Sequence, residues 1–271
     1  MLRTRLATAI ILIGLFLLSL FSPWNFFPIL VVLTLAIGAW EWATLADIRS
    51  RNGRLLYVGI VIALLILIAL SEQLLVSVAF KIAFVVFWFW VFLIPLLLRY
   101  PATAPFFRNQ PFAIGISILI LISAAAGLLW LDIQENGAWL VVMLILIVTL
   151  ADSGAYFAGR AFGKTALAPK ISPGKTFEGF YGGLLCNFLF ALLLCLTLNL
   201  SPEKSFAMVL IVLGTSLFSV AGDLLESAIK RSQGVKDSGT ILPGHGGVLD
   251  RIDGLCAAVP CFVFGILIAE I

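Results

Sequence analysis

Charge is what this chain has least of. Asp, Glu, Lys and Arg together supply 11% of its 271 residues, where a soluble domain carries about 25%. Histidine occurs once, at His245. Cysteine occurs four times, at Cys186, Cys195, Cys256 and Cys261, always inside apolar runs. Their spacings match neither a zinc site nor a secreted disulfide framework, so they read as small buried hydrophobes. There is no solenoid-type repeat and no low-complexity tract. These scarcities exclude an ordinary soluble domain and leave a polytopic membrane protein, with no nucleic-acid partner expected.

What is present is hydrocarbon. The chain is 62% hydrophobic with a mean hydropathy of +1.15. Its apolar runs reach the roughly 20 residues that a spanning helix needs. About nine spans are expected, near 6–21, 27–47, 55–71, 77–98, 111–131, 138–158, 179–199, 206–228 and 253–270, giving an all-α fold. The first follows Arg3 and Arg5 and resembles a signal peptide, but Phe21–Ser22–Pro23–Trp24–Asn25 has no small-x-small cleavage site. It is read as an uncleaved helix.

The basic residues set the orientation. With the N-terminus in the cytoplasm, fifteen of the seventeen Lys and Arg fall on the cytoplasmic side, and only Lys81 and Lys204 on the other. That is a strong positive-inside bias. Both long polar stretches, 159–178 and 229–252, then face the cytoplasm, and the C-terminus lies outside. The chain reads as one integral membrane domain over 1–271. Residues 1–110 are chemically poor, with Glu41 and Asp47 their only acids near the cytoplasmic face, and 111–271 carry the motifs.

Ionisable groups inside spans are expensive and normally face an interior or a water-filled cavity. Asp152 lies near the end of the sixth span, Asp223 and Glu226 in the last turns of the eighth, and Asp250 and Asp253 at the start of the ninth. All sit at one cytoplasmic depth, so three helices are expected to converge on an acidic pocket. Asp223, Glu226, Ser227 and Lys230 fall at i, i+3, i+4 and i+7, along one helix face. Glu226 is placed to pair with Lys230. Asp253 either caps its helix, where the dipole favours a carboxylate, or joins the cluster. Carboxylates with so little His or Cys suit a hard cation, magnesium above all, which takes one or two carboxylates and completes its shell with substrate phosphates.

The loops add anion-binding groups. Pro243–Gly244–His245–Gly246–Gly247 can turn sharply and present backbone N–H groups to an anion. Lys230, Arg231 and Lys236 fit either phosphate contact or attraction to anionic lipid. Gly163–Lys164–Thr165 and Gly174–Lys175–Thr176 suggest a Walker A loop, but Ala158 and Pro169 stand where its first glycine would be, and a transmembrane helix precedes it. That motif is rejected.

The run from Ser227 to Asp253, SAIKRSQGVKDSGTILPGHGGVLDRID, resembles the signature of the phosphatidate cytidylyltransferases, or CDP-diacylglycerol synthases. It matches S-x-hydrophobic-K-R, four residues, K-D-x-small, two residues, L-P-x-H-G-G-x-x-D-R-x-D at every fixed position. The upstream DSGAYFAGRAFGK and ISPGKTFEG are similar to the family too, except that Gly174 replaces the first lysine of the usual I-S-P-K-K-T. The motif-bearing resemblance covers roughly 150–255.

The resemblance implies CMP transfer from CTP to phosphatidate, releasing pyrophosphate, with Mg2+ and a monovalent cation such as K+. By resemblance and placement, the metal is assigned to Asp223 and Asp250, with Asp152 and Asp253 as further candidates. Lys175, Lys230, Arg231, Lys236, His245 and Arg251 are the expected phosphate contacts. Ser172, Ser227, Gly246 and Gly247 are expected to line the substrate site. CTP, phosphatidate and the bilayer are the expected partners, a homodimer is allowed, and a multi-pass protein of a bacterial inner membrane is implied. Two alternatives stay open: a CTP-dependent lipid kinase of the polyprenol or phytol type, releasing CDP, and a transporter, whose charges would sit nearer the midplane and whose halves would repeat.

Overall fold

The computed structural model describes residues 2–242, 244 and 246–270. Among these residues are ten helices, joined by short turns except after α7 and α9: α1 (Leu2–Phe21), α2 (Phe27–Leu45), α3 (Arg51–Leu70), α4 (Glu72–Leu98), α5 (Ala104–Arg108), α6 (Gln110–Asp132), α7 (Gly137–Phe162), α8 (Phe177–Thr197), α9 (Pro202–Ser232) and α10 (Leu249–Ala269). Two short strands, β1 (Ala166–Ala168) and β2 (Ser172–Thr176), pair antiparallel between α7 and α8.

Eight of these helices, α2 to α4 and α6 to α10, are long and apolar enough to cross a membrane. In α1 the apolar stretch is the shorter Ile10–Phe21. The expected spans are thus all helical, and α5 is an additional five-residue turn. The outer surface carries large exposed side chains such as Ile29, Leu56, Phe92, Leu185 and Leu210. Such a surface suits lipid, where helices satisfy their own backbone groups.

Local sequence sets the helix ends. The hydroxyls of Ser50, Ser71, Thr176 and Ser201 accept the amides of Gly53, Leu74, Gly179 and Lys204 as N-caps. At the far end of α9, Gly234 adopts φ +73°. Its amide donates to the Arg231 carbonyl (3.1 Å) and that of Val235 to the Lys230 carbonyl (3.0 Å). This six-to-one and five-to-two pair is a Schellman stop, and it delivers the chain into the glycine-rich loop 233–248. Asp47, at φ 53°, ends α2 the same way, through Asp47 to Thr44 and Ile48 to Ala43.

Helices α6, α9 and α10 are the most buried and form the centre, with α4 and α2 against them and α7 with α8 on the flank. Helices α9 and α10 touch backbone to backbone. A Cβ on Gly222 would lie 2.7 Å from Ala257 Cβ, and one on Gly254 would lie 2.8 Å from Ser219 Oγ. Small residues are the usual means of close helix approach in lipid, where there is no hydrophobic drive to associate. Here that approach sets the acidic C-terminal turns of α9 beside the acidic first turn of α10.

Candidate active site

The expected face of α9 forms, and its partners arrive from two other elements, β2 and α10. Lys175, on β2, places Nζ 2.6 Å from Asp223 Oδ2. Ser227 Oγ donates to Asp223 Oδ1 at 3.2 Å. One turn on, Lys230 Nζ lies between Glu226 Oε2 (3.1 Å) and Asp250 Oδ1 (2.6 Å). Lys230 and Glu226 are both buried. Lys175 and Asp223 remain partly open, at 26% and 35% side-chain exposure. The first pair is therefore the reachable one, and the second is an internal tie between α9 and α10.

Asp250 organises the loop that precedes it. Its carboxylate also accepts the amides of Gly247 (2.9 Å) and Ser238 (3.1 and 3.2 Å). Gly246 pairs with Leu242 across the same turn at φ +84°. A Cβ there would approach Asp250 Oδ2 to 3.0 Å. Gly246 and Gly247 thus shape the turn around a carboxylate of the chain itself. His245 and Pro243 lie outside the described residues.

Glu41, from the N-terminal half, is built into the same end. It is 2% exposed and accepts the amides of Val248 (3.0 Å) and Leu249 (2.7 Å) and the Ser238 hydroxyl (3.3 Å). A carboxylate at these first amides satisfies donors that the start of α10 would otherwise leave unpaired. Gly239 and Gly247 pack against it so closely that a Cβ on either would collide with Glu41 or with Ser238. Sequence reasoning placed Glu41 at the right depth but gave it no role. The signal was there: an acid between Trp40 and Trp42 inside a span needs a partner.

The remaining expected residues divide. Asp152, on α7, is exposed and within electrostatic reach of Lys175, Asp223 and Arg251. The Asp253 carboxyl lies against Glu226, whose buried Oε1 has no hydrogen-bond partner, and accepts the Gly254 amide at 2.7 Å. Arg231 is a clamp: Nε donates to the Ile171 carbonyl (3.1 Å) and Nη1 to that of Val235 (3.3 Å), tying the hairpin to the end of α9. Lys236 and Arg251 are exposed beside the loop, and Ser172 opens β2 next to Arg231's partner Ile171. The hairpin has its own anchor, absent from the sequence reading. Glu178 Oε2 accepts the amides of Lys164 (3.1 Å) and Thr165 (3.2 Å).

Among the described residues, no three His, Cys, Asp or Glu side chains stand close enough to hold a metal by themselves. Magnesium needs fewer, because one or two carboxylates suffice when phosphates complete the shell. Asp152 and Asp223 fit that chemistry. Both are hard oxygen donors reachable from outside, and the Lys175 ammonium already marks a place where they attract a cation. Asp250 differs, since both of its oxygens already accept hydrogen bonds from the protein.

Known proteins share this pattern along the whole chain. The sequence model of the cytidylyltransferase family matches residues 3–269. A phosphatidate cytidylyltransferase of Pseudomonas aeruginosa is 39% identical over 270 residues, covering 97% of this chain and 96% of that protein. One from Haemophilus influenzae is 37% identical, covering 97% and 98%. One from Bacillus subtilis is 43% identical over 133 residues, about half of each chain. A helical membrane bundle that carries Asp152, Lys175, Asp223, Lys230 and Asp250 at one end, matched from residue 3 to residue 269, belongs to the cytidylyltransferase family.

Proposed function

We propose that this chain is a phosphatidate cytidylyltransferase of a bacterial inner membrane, working at the cytoplasmic ends of its helices. The near full-length identity to relatives of that name carries the reading. The chemistry of the site supports it. An oxygen of the phosphatidate phosphate attacks the α-phosphorus of CTP, and the bond from that phosphorus to the bridging β-oxygen breaks. The products are CDP-diacylglycerol and pyrophosphate.

The nucleophile is already an anion, so the protein's task is positioning and charge neutralisation rather than proton removal. Lys175 is the cation best placed for phosphate, because it is partly exposed and held beside Asp223. The exposed Arg251 and Lys236 extend the positive surface toward the loop. Lys230 and Arg231 act through the scaffold, one joining α9 to α10 and the other holding the hairpin that carries Lys175. Asp223 and Asp152 would hold Mg2+, which when bound neutralises charge on the CTP phosphates. Position at the helix ends lets a lipid phosphate arrive from the bilayer while CTP arrives from water.

The test is a detergent assay of the purified protein with CTP, phosphatidate and Mg2+. Equal amounts of pyrophosphate and CDP-diacylglycerol are expected. Release of CDP with a phosphorylated lipid would instead identify a kinase.

A further inference from the structure

A large cleft in the described structure lies away from the carboxylates. It lies between α3 and α6, has a volume of about 670 Å3, and shares no lining residue with the active site. That volume falls within the range of small-molecule sites. Its walls are two helix faces. Gly53, Leu56 and Ile60 of α3 lie three to four residues apart, and so do Gln110, Ile114 and Ile118 of α6. Behind them the Tyr57 hydroxyl donates to Ser117 Oγ at 2.8 Å and closes the floor.

The cleft is divided by depth. At one end stand Asp47, Arg49, Ser50 and Gln110, and below them the lining is apolar. The polar end is a built one. Gln110 Nε2 donates to the carbonyls of Asp47 (2.8 Å) and Ala46 (3.2 Å). Arg49 makes a two-point contact with Asp47, at 2.9 and 3.0 Å, yet its side chain stays 86% exposed, so the guanidinium is held at the mouth with donors to spare. Arg51 opens α3 beside it. Arg54 is fixed by the Ile48 carbonyl and the Trp40 ring. Arg108 lies within electrostatic reach of Asp47. Arg49 and Arg108 thus act on Asp47, and Arg51 and Arg54 flank the same end, so the lining's one carboxylate, Asp47, is outnumbered by arginines. This end is also level with the active site, because Glu41, six residues before Asp47, caps α10.

We propose that this cleft seats an anionic glycerophospholipid of the surrounding bilayer, its phosphate at Arg49 and Arg51 and an acyl chain between Leu56, Ile60, Ile114 and Ile118. Charge selects the occupant. A zwitterionic lipid gives the arginine rim no net attraction, and a second copy of this chain docked symmetrically would bring one cationic rim against another. Arginine suits the headgroup because its planar fork meets phosphate at two points. The site is separate from the catalytic one and holds a lipid that is not consumed.

Native mass spectrometry of the detergent-purified chain, offered phosphatidylglycerol and phosphatidylcholine in equal amounts, tests this. One retained phosphatidylglycerol per chain is expected, with little phosphatidylcholine. Arg49→Gln with Arg51→Gln should lower that occupancy at least about tenfold. Ile60→Trp, which fills the apolar part and leaves the rim intact, should lower the occupancy of both lipids. Unchanged thermal unfolding without added lipid verifies that each variant is folded. Equal retention of the two lipids by the wild type, or undiminished phosphatidylglycerol in either variant, would overturn the proposal. So would efficient chain-to-chain cross-linking through Leu56→Cys that phosphatidylglycerol does not suppress.

Discussion

Glu41 Oε2 accepts the amide of Leu249 at 2.7 Å across 208 positions of sequence. The contact joins the second helix to the first turn of the last one, and so fixes the loop that carries the glycine-histidine turn. Glu41→Ala leaves buried amides of Val248 and Leu249 without an acceptor, which costs about 1–3 kcal/mol for each group. We expect a large drop in the thermal unfolding temperature in detergent. Glu41→Gln, which keeps one acceptor oxygen, should fall between the two. Wild-type stability in Glu41→Ala would show that the contact carries no weight.

Two glycines share that contact, and they should behave differently from their neighbour Gly244. A Cβ on Gly239 or Gly247 meets the Glu41 carboxylate or Ser238 Oγ. Overpacking of this kind costs about 1–3 kcal/mol. Gly244 is exposed, and its φ of +77° makes alanine merely strained, by about 1–2 kcal/mol. Unfolding of the three alanine variants should rank Gly244→Ala as the mildest.

Lys230 is predicted to be a stability residue. Its ammonium lies between Glu226 and Asp250 in the protein interior. Removing one partner of a buried ion cluster leaves uncompensated charge, at about 3–5 kcal/mol. Lys230→Met should therefore reduce yield and unfolding temperature, and Lys230→Met with Glu226→Gln should recover part of the loss. Absence of any recovery would mean that the two side chains are not coupled.

Lys175 is predicted to be a rate residue. It sits on a two-stranded hairpin and is partly exposed. Lys175→Met should cut turnover by at least tenfold with little change in unfolding temperature, and Lys175→Arg should restore part of it. Equal turnover in all three proteins would remove Lys175 from the chemistry.

The helices were legible because a membrane demands long apolar runs. The α9 face was legible for the same reason that it exists: Asp223, Glu226, Ser227 and Lys230 follow helical spacing, and the Glu226–Lys230 pair is there at 3.1 Å. What stayed hidden depends on pairing between distant segments. Glu41 reaching Leu249, Lys230 reaching Asp250, and Glu178 holding Lys164 and Thr165 all need the tertiary fold before they can be named. The 159–178 stretch read as loop because strands of three and five residues leave almost no periodic signal. The clamp of Arg231 on the Ile171 carbonyl was hidden as well, since it uses donors of the kind that would meet a phosphate.

The central claim is that Asp223, held between Lys175 and Ser227, belongs to the reacting centre rather than to the scaffold. The most direct measurement is Mg2+-dependent release of pyrophosphate from CTP and phosphatidate by wild type and Asp223→Asn, with unfolding temperature recorded for both. The account predicts equimolar pyrophosphate and CDP-diacylglycerol from the wild type, none after chelation of the metal, and none from a folded Asp223→Asn. Near-normal turnover in Asp223→Asn would contradict it.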